Sequence, residues 1–289
     1  AEMAKEYGIE AFCYYHYWFG GKRILEGPFE DMLREKKLEF KFCLCWANQT
    51  WTGIWHGAPN KILIEQKYPG VEDIYKHYQC VSRAFKDPRY LKVDNKVLFV
   101  IYRPWDVPQL NNFIKIWRLL SEKDGIGEIY FIGILYPGDI VPDDNILDGF
   151  ILTEIRPHKE RLLNRVNRKI FSMIYRMLKR KLPSILFYED LVSNGYISKI
   201  SGVRNYPCLI PSWDNTPRSG TNGVVLHGST PELFRKQVRS AVEANINERL
   251  EIRLIFIKSW NEWAEGNHLE PDLRFGKHYL EVLREEINK

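Results

Sequence analysis

The sequence predicts an α/β fold of the (β/α)8 TIM-barrel class, and three observations support this prediction. Short, nearly continuous apolar segments alternate seven times with helical segments, which is typical of a parallel sheet covered by helices. No glycine-rich phosphate loop follows any apolar segment, so a doubly wound open sheet is the weaker alternative. A barrel needs eight strands, and because the chain begins in a helical segment we expect the first strand upstream of Ala1.

The predicted strands are short, apolar and rich in β-branched and aromatic residues. They cover residues 9–15, 40–46, 97–101, 129–135, 149–152, 207–210 and 254–257.

The predicted helices rest on start and stop signals and on apolar residues spaced three to four apart. Gly8 ends the first helix, Pro28 suits the first turn of the second, and Thr230 caps a helix with Pro231 in its first turn. The helices cover 1–7, 28–37, 72–86, 108–123, 230–247 and 276–286, and a long helical insertion runs from about 156 to 200.

Length and composition fit one large globular domain over 1–289 that includes this insertion. The chain has 289 residues, 45% of them hydrophobic, and no apolar run reaches the roughly 18 residues that span a membrane. Its five cysteines lack metal-like spacing, and we interpret them as buried, reduced thiols, which favours a cytoplasmic location. The histidines show no ligand spacing either, so we predict neither a metal nor a cofactor.

Tryptophans are concentrated where predicted strands end. Eight of the nine lie at or just after such an end, namely residues 18, 46, 51, 55, 105, 213, 260 and 263. Barrel active sites are built at these ends, and aromatic faces can stack on sugar rings. The pattern predicts an aromatic-lined, sugar-binding cup at one barrel face, although some of these rings could instead plug the barrel mouth.

Polar side chains follow the same strand ends, including Glu154 and Arg156. From the aromatic and polar sets we select candidate substrate-binding residues: His16, Tyr17, Trp18, Trp46, Asn48, Trp51, Tyr102, Arg103, Trp213, Asp214, Trp260, Asn261, Trp263 and Glu270. Each polar residue alone could cap a helix or close a turn. For Asp214 this alternative stays open because Asn, Asp and Pro favour turns.

Glu262 and Glu265 are the candidate catalytic residues. They lie in SWNEWAEG, directly after the strand at 254–257, and each neighbours a tryptophan. In a helical turn their Cβ atoms would be roughly 5–6 Å apart, which permits either retaining or inverting glycosidase geometry. Two close carboxylates raise the pKa of one, and this supplies an acid beside an ionised partner. The alternative is that one glutamate caps the loop or pairs with Arg103 or Arg218.

The motifs also resemble known families. SWNEWAEGNHLEPD is similar to the strand-eight signature of glycoside hydrolase family 99, the endo-α-mannosidase group, with its N-E-W-x-E-G core. FCYYHYWFGGKRILEGPF, WANQTWTGIWHG, KVLFVIYRP and SWDNTPR resemble still more closely the WbsX-type family, which occurs with polysaccharide and O-antigen assembly and is often labelled glycosyltransferase. The similarity covers almost the whole chain and implies a strand and a Trp-rich loop before Ala1.

The hydrolase resemblance implies a role for each glutamate. Glu265 would protonate the leaving oxygen and later activate water, while Glu262 would act on the sugar 2-hydroxyl through an anhydro-sugar intermediate. The sequence departs from the hydrolases at Ala264, where they have histidine.

The insertion contains a strongly basic stretch. Residues 156–181 include ten Lys or Arg and one acid, a net charge of +9, whereas the whole chain carries +5. Apolar residues interleave at amphipathic-helix spacing. Two interpretations are open: a helix packed on the barrel with a solvated basic face, or docking on an anionic membrane surface. Nucleic acid binding is not predicted, because no recognition motif accompanies the charge.

We therefore predict an enzyme that acts on glycosidic bonds in bacterial polysaccharide metabolism, with an oligosaccharide or a sugar donor as substrate. Two alternatives remain, a glycosyltransferase of surface polysaccharide assembly that uses the same cup and a non-catalytic glycan-binding barrel. The expected location is cytoplasmic, peripheral to the inner membrane face.

Overall fold

A computed structural model describes residues 1–53, 58–136, 138–143, 145–153, 162–177, 181–193, 203–246 and 253–289. The chain divides into two compact units. The first comprises 1–51, 62–151 and 200–205, and the second comprises 52–61, 152–199 and 206–289.

The first unit is built on strands that alternate with helices. Its strands are β1 (Ala11–Trp18), β2 (Arg23–Ile24), β3 (Lys41–Trp46), β4 (Trp51–Gly53), β5 (Ala58–Ile64), β6 (Lys92–Val93), β7 (Lys96–Ile101), β8 (Ile129–Leu135) and β9 (Gly149–Leu152); β4 and β5 extend into the second unit. Its helices are α1 (Glu2–Glu6), α2 (Gly27–Arg34), α3 (Val71–Phe85) and α4 (Leu110–Lys123).

The central ladder of this unit is parallel. The strands lie in the order β1, β3, β7, β8, β9, and Cys13 pairs with Cys43, Leu44 with Phe99, and Phe99 with Phe131. The short strands β2 and β6 pair antiparallel with β1 and β7. Parallel strands joined through helices are the arrangement that the alternating sequence pattern predicts.

One face of this ladder is covered by aromatic side chains of α3 and α4. Trp117 is fully buried, and its ring lies 4.8 Å from that of Phe99 and 4.7 Å from that of Phe113. Its indole Nε1 donates to the backbone oxygen of Ile74 at 3.2 Å, so the one polar atom of the ring keeps a partner inside the core.

The second unit contains shorter strands and, among its described residues, five helices. Its elements are α5 (Leu162–Met177), β10 (Ser184–Phe187), α6 (Tyr188–Ser193), β11 (Asn205–Leu209), β12 (Trp213–Asp214), α7 (Thr216–Ser219), β13 (Val224–His227), α8 (Pro231–Ile246), β14 (Phe256–Ile257), β15 (Asn261–Glu262), β16 (Asn267–His268) and α9 (His278–Ile287). β10, β13 and β12 form a three-stranded sheet in that order, β11 pairs parallel with β14, and β15 pairs antiparallel with β16.

A small core supports the strands of this unit. It comprises Leu186, Tyr188, Leu191, Ile210, Trp213 and Leu226. The Tyr188 hydroxyl donates to the backbone oxygen of Ile210 at 2.9 Å, and Gln237 Oε1 accepts from the Ile210 amide at 3.0 Å. These bonds hold β11 and the turn before β12 against α6 and α8.

The predicted α/β class with a parallel central sheet is confirmed, while closure into an eight-stranded barrel stays a prediction, as does the single domain over 1–289. The strand at 9–15 extends to Trp18, whereas the strand at 254–257 shortens to Phe256–Ile257. Among the described residues, no helix is both long enough and apolar enough to cross a membrane.

Two expectations were wrong. The insertion is not helical throughout, because Ser184–Phe187 forms β10 in register with Val224–His227. Short apolar runs fit a buried strand as well as a helix, and here the partner strand decides. All five cysteines are free, but Cys13 is exposed, since it lies on the opposite face of β1 from the buried His16 and Trp18.

Candidate active site

The two candidate catalytic glutamates lie on a small hairpin after β14. Asn261 pairs with His268, and Glu262 with Asn267, while Trp263–Glu265 forms a 3₁₀ turn between the strands. Ser259 closes the base of the hairpin, because its Oγ donates to Asn267 O at 2.8 Å and accepts from the Glu262 amide at 3.1 Å. The peptide between Lys258 and Ser259 is cis.

Gly266 seats the hairpin on β12. Its φ of +54° is left-handed, and a Cβ there would lie 3.1 Å from both the backbone nitrogen and the backbone oxygen of Asp214. Ser212 Oγ also donates to Gly266 O at 2.6 Å. Glycine suits both the left-handed backbone and the close approach to Asp214. Gly266 therefore holds the neighbouring Glu265 close to β12.

Arg218 stands between the two carboxylates. Its Nη1 lies 3.4 Å from Glu262 Oε1 and 3.4 Å from Glu265 Oε1. Asp214 anchors the start of α7, the short helix that carries Arg218. Its Oδ1 accepts from the backbone amide of Thr216 at 2.9 Å and from Thr216 Oγ1 at 2.6 Å. The alternative noted for Asp214, closure of a turn, is therefore observed for one of its oxygens.

The surroundings of Glu265 favour its protonated form. Burial raises the pKa of the Glu265 carboxyl, while the charges of Lys258 and Arg218 lower it and that of Glu262 raises it, with a net increase. The Glu265 side chain is 15% exposed and that of Glu262 38%, so the two acids occupy different environments. A carboxyl group that keeps its proton at higher pH is suited to donate it to a leaving oxygen.

Aromatic residues flank the hairpin. Trp263 is 49% exposed; its ring stacks on His268 at 3.7 Å, and its Nε1 donates to Glu270 Oε2 at 2.7 Å. Glu270 therefore orients the ring of Trp263. The backbone oxygen of Trp260 accepts from the Leu269 amide at 2.9 Å, which holds the return strand, and the adjacent Asn261 is exposed.

Trp213 lies beneath this loop with most of its surface buried. The Lys258 ammonium lies 4.5 Å from the centre of its ring, a cation–π contact. The indole Nε1 of Trp213 and both polar atoms of the Asn267 side chain are buried, and they have no hydrogen-bond partner in the part of the chain that the structure describes. Sequence patterns did not single out Asn267, since an asparagine after glycine is an ordinary turn residue.

In the first unit, the candidates at the end of β1 and β3 are mostly buried. His16 Nε2 lies 2.9 Å from His77 Nε2, and the ring of Trp18 is parallel to that of His77 at 5.1 Å. Trp46 Nε1 donates to Trp18 O at 3.2 Å. His16, Trp18 and Trp46 thus support one another around His77, a residue of α3 that no sequence signal marked.

Asn48 organises the turn after β7. Its Nδ2 donates to Arg103 O at 2.8 Å and to the Tyr68 hydroxyl at 3.0 Å, and its Oδ1 accepts from the Arg103 amide at 2.8 Å. The Arg103 guanidinium lies 5.4 Å above the Tyr136 ring. All of these atoms follow strand ends, as the sequence pattern predicts.

A continuous set of partly exposed rings runs along these ends, and we name it the tyrosine strip: Tyr15, Tyr17, Trp51, Tyr102 and Tyr136. Successive ring centres are 5.1–6.1 Å apart. Sequence patterns do not select Tyr15, because this residue falls within the apolar strand at 9–15 rather than after its end, yet Tyr15 is 43% exposed.

Trp55, Glu154 and Arg156 lie outside the described residues. In the part that is described, no group of three or more His, Cys, Asp or Glu side chains is placed to hold a metal ion. The substrate-binding roles of the candidate residues stay predictions.

Comparisons with known proteins agree with the motifs. A family model described as Glycosyltransferase WbsX matches residues 1–283. Proteins named WxcX from two strains of Xanthomonas campestris pv. campestris are 32% identical over 300 and 292 residues, and the chain spans 41% of their length.

Solved structures show a similar fold at low sequence identity. One titled glycoside hydrolase-like protein has a TM-score of 0.60 and 13% identity, covering 99% of this chain and 83% of that one. The GH99 endo-α-mannosidase of Bacteroides thetaiotaomicron, in complex with bis-tris-propane, has a TM-score of 0.53 and 15% identity, covering 99% of this chain and 80% of that one.

Proposed function

Because the chain belongs to the WbsX glycosyltransferase family, we propose that it is a carbohydrate-active enzyme of bacterial polysaccharide metabolism, for O-antigen or capsule. It acts on glycosidic bonds through Glu262 and Glu265. The observation that carries this proposal is the pair itself, in which Glu265 is mostly buried with a raised pKa and shares Arg218 with Glu262. The fold similarity to glycoside hydrolases supports it.

In the hydrolytic direction, each carboxylate moves one proton in each half of the reaction. Glu262 takes the proton of the sugar 2-hydroxyl as that oxygen attacks the anomeric carbon, and Glu265 gives its proton to the departing glycosidic oxygen. Glu265 then removes a proton from water, which opens the anhydro-sugar at the anomeric carbon, while Glu262 returns its proton to the 2-oxygen. Every proton is returned, so no further reactant is required.

Aromatic surfaces in each unit are proposed to bind the sugars. In the second unit, Trp263 follows Glu262 in the hairpin and is half exposed. In the first unit, the tyrosine strip offers several rings at spacings that suit stacking on pyranose faces. Asn48 and Arg103 place polar groups at the same strand ends.

Transfer rather than hydrolysis is the second candidate, and the description of the matching family favours it. The same carboxylates would then activate an acceptor hydroxyl in place of water. Reactions run in heavy-oxygen water with an acceptor sugar separate the two, because only hydrolysis places the heavy isotope at the new reducing end.

Glu265→Gln and Glu262→Gln test the mechanism. We expect each to reduce kcat about 10²–10⁴-fold on substrates found by a glycan array with mass-spectrometric product analysis. The matched control is Glu243→Gln, an exposed glutamate of α8. Full turnover by both variants would contradict the carboxylate mechanism. Glycan binding by the natural chain without any turnover would instead establish a non-catalytic glycan-binding module.

We also propose that α5 rests on an anionic membrane at the cytoplasmic face. Its apolar residues are open to solvent, with Phe171 53% and Met177 76% exposed, beside the basic residues Arg165 and Lys169. An amphipathic basic helix of this kind suits the interface of an anionic bilayer. Residues 156–161 and 178–180 of the basic stretch lie outside the described residues.

Vesicle sedimentation tests the docking. We expect binding to phosphatidylglycerol vesicles at low salt, weaker binding at high salt, and little binding to phosphatidylcholine vesicles. Phe171→Ser with Met177→Ser should weaken it, whereas Leu119→Ser, at an exposed apolar position of α4, should not. Absence of binding at low salt would rule out docking.

A further inference from the structure

A groove of about 810 Å³ lies between α5 and the edge of the three-stranded sheet. One wall is the face of α5 that carries Arg168, Phe171, Ser172 and Arg176, which are three and four residues apart. The other wall is the segment 181–187. We call this cavity the α5 groove, and its volume is within the range of small-molecule sites.

The walls of the α5 groove are held by defined contacts. β10 pairs with β13 over four residues, so the segment that ends at Phe187 has a fixed backbone. Asn164 Nδ2 donates to Asp190 Oδ1 at 2.9 Å and ties the start of α5 to α6. The ring of Phe187 packs edge-on against His227 at 5.8 Å.

The lining combines positive charge with apolar surface. Arg168, Arg176 and Lys181 line the α5 groove, and no Asp or Glu does so among the residues that the structure describes. Lys181 Nζ donates to Asn222 Oδ1 at 2.5 Å, which positions the ammonium without neutralising it. The apolar part includes Leu182 and Ile185.

We propose that the α5 groove binds one anionic phospholipid, with its phosphate among Arg176, Lys181 and Arg168 and the start of its acyl chains along Phe171 and Ile185. A free phosphate would leave the apolar wall in water, and a neutral lipid would supply no net negative charge to Arg176 and Lys181. This inference rests on the proposed membrane docking of α5 and refines it. A defined pocket would give α5 a preference for anionic lipid that surface charge alone would not.

A soluble lipid tests the groove without a bilayer. Calorimetric titration of the full chain with dihexanoyl-phosphatidylglycerol below its micelle-forming concentration should show saturable binding of one lipid per chain. Dihexanoyl-phosphatidylcholine and inorganic phosphate should each bind at least about fivefold more weakly.

Charge variants on α5 locate the site. Arg176→Gln should weaken binding about fivefold, and the addition of Lys181→Gln should weaken it about 25-fold, at roughly one fivefold step for each cation. Phe171→Ser should weaken it too. Arg165→Gln is the matched control, since Arg165 is exposed on the same helix but does not line the groove.

Each contrary result has a distinct meaning. Equal binding of inorganic phosphate would overturn the lipid assignment, and an equal loss in Arg165→Gln would reduce the effect to surface charge. Binding to vesicles without binding of the soluble lipid would overturn the groove and leave the docking of α5 intact. Failure of both would overturn both, and neither result depends on glycosidic activity.

Discussion

Arg218 is the residue that controls the electrostatics of the carboxylate pair. Its Nη1 is equidistant, at 3.4 Å, from an oxygen of Glu262 and an oxygen of Glu265. Burial raises the pKa of Glu265, and Arg218 is one of the two cations that oppose this increase. The arginine therefore limits how high the pKa of the proposed acid can rise.

Arg218→Gln should move the pH profile in a defined direction. With this cation removed, the pKa of Glu265 rises further, and the acid stays protonated to higher pH. The alkaline limb of the plot of kcat/KM against pH should therefore move to higher pH, even if the maximum rate falls. Arg218→Lys keeps the charge and should shift the limb less. An alkaline limb that stays in place or moves to lower pH in Arg218→Gln would contradict this role.

The sequence identifies the two candidate acids, Glu262 and Glu265, but it does not predict their exposure or their contacts with Arg218. The motif SWNEWAEG marks Glu262 and Glu265, and their pairing with Arg218 was named as an alternative to a catalytic role. The structure shows that this pairing and two differently exposed acids occur together. Contacts between segments more than 40 residues apart depend on the register of β12 and the hairpin, which local spacing does not encode.

Among the elements, α9 is tied to α8 by a buried charge. Glu286 has a side chain only 2% exposed, and it pairs with Arg239, Lys289 and Arg235. Hydrogen bonds from Arg239 are the largest cause that lowers the pKa of Glu286 to about 2. The carboxylate form is therefore favoured by folding.

Glu286→Gln should destabilise the chain at neutral pH by roughly 1–3 kcal/mol, because the buried side chain loses its charge-assisted hydrogen bonds with Arg239, Arg235 and Lys289. A depressed pKa stabilises the fold above the unfolded value near 4.5 and ceases to do so as pH falls towards about 2. Urea unfolding at several pH values should show that the difference in free energy of unfolding between Glu286→Gln and the natural chain shrinks as the pH falls from about 4.5 towards about 2. Glu285→Gln, on the same helix with a 54% exposed side chain, should have little effect. A similar loss in both variants would contradict the assignment.

Helices with strong apolar periodicity were predicted to within a few residues, as for α3 and α4. Elements that depend on a partner strand were not. The sequence predicts a helix where β10 lies, and it does not predict the hairpin of β15 and β16, because strands of two to four residues carry little periodicity. Helix α5 exposes apolar side chains such as Phe171 and Met177. Amphipathic spacing predicts that a helix has an apolar face, but it does not predict whether that face is buried or exposed.

Across the whole molecule, the alternation of strands and helices predicts the α/β class, since each covered parallel strand must be apolar on both faces. Closure of a sheet into a barrel depends on pairing between strands far apart in sequence, for which the pattern holds no signal. The family match and the fold similarity extend over nearly the whole chain, so the same motifs predict family and fold together.

The stability of the whole chain should depend on pH through a buried histidine pair. His16 and His77 are 3% and 1% exposed, and their Nε2 atoms are 2.9 Å apart, so one imidazole donates to the other and both are neutral. Burial lowers the pKa of His16 to about 3, and burial, with the proximity of His16 and Arg23, lowers the pKa of His77 well below its usual value. In the unfolded chain both would take up protons near pH 6.5.

The unfolded state therefore binds more protons than the folded state below pH 6.5, and stability must fall as the pH falls through that value. Two such histidines lower the free energy of unfolding by roughly 3 kcal/mol between pH 6.5 and 5, before Glu286 begins to titrate. Urea unfolding across this interval should show a proton uptake on unfolding that rises from about one at pH 6.5 to about two at pH 5. His227→Asn, at an exposed histidine, should leave this uptake unchanged. A flat dependence between pH 6.5 and 5 would show that the pair does not stay neutral in the folded chain.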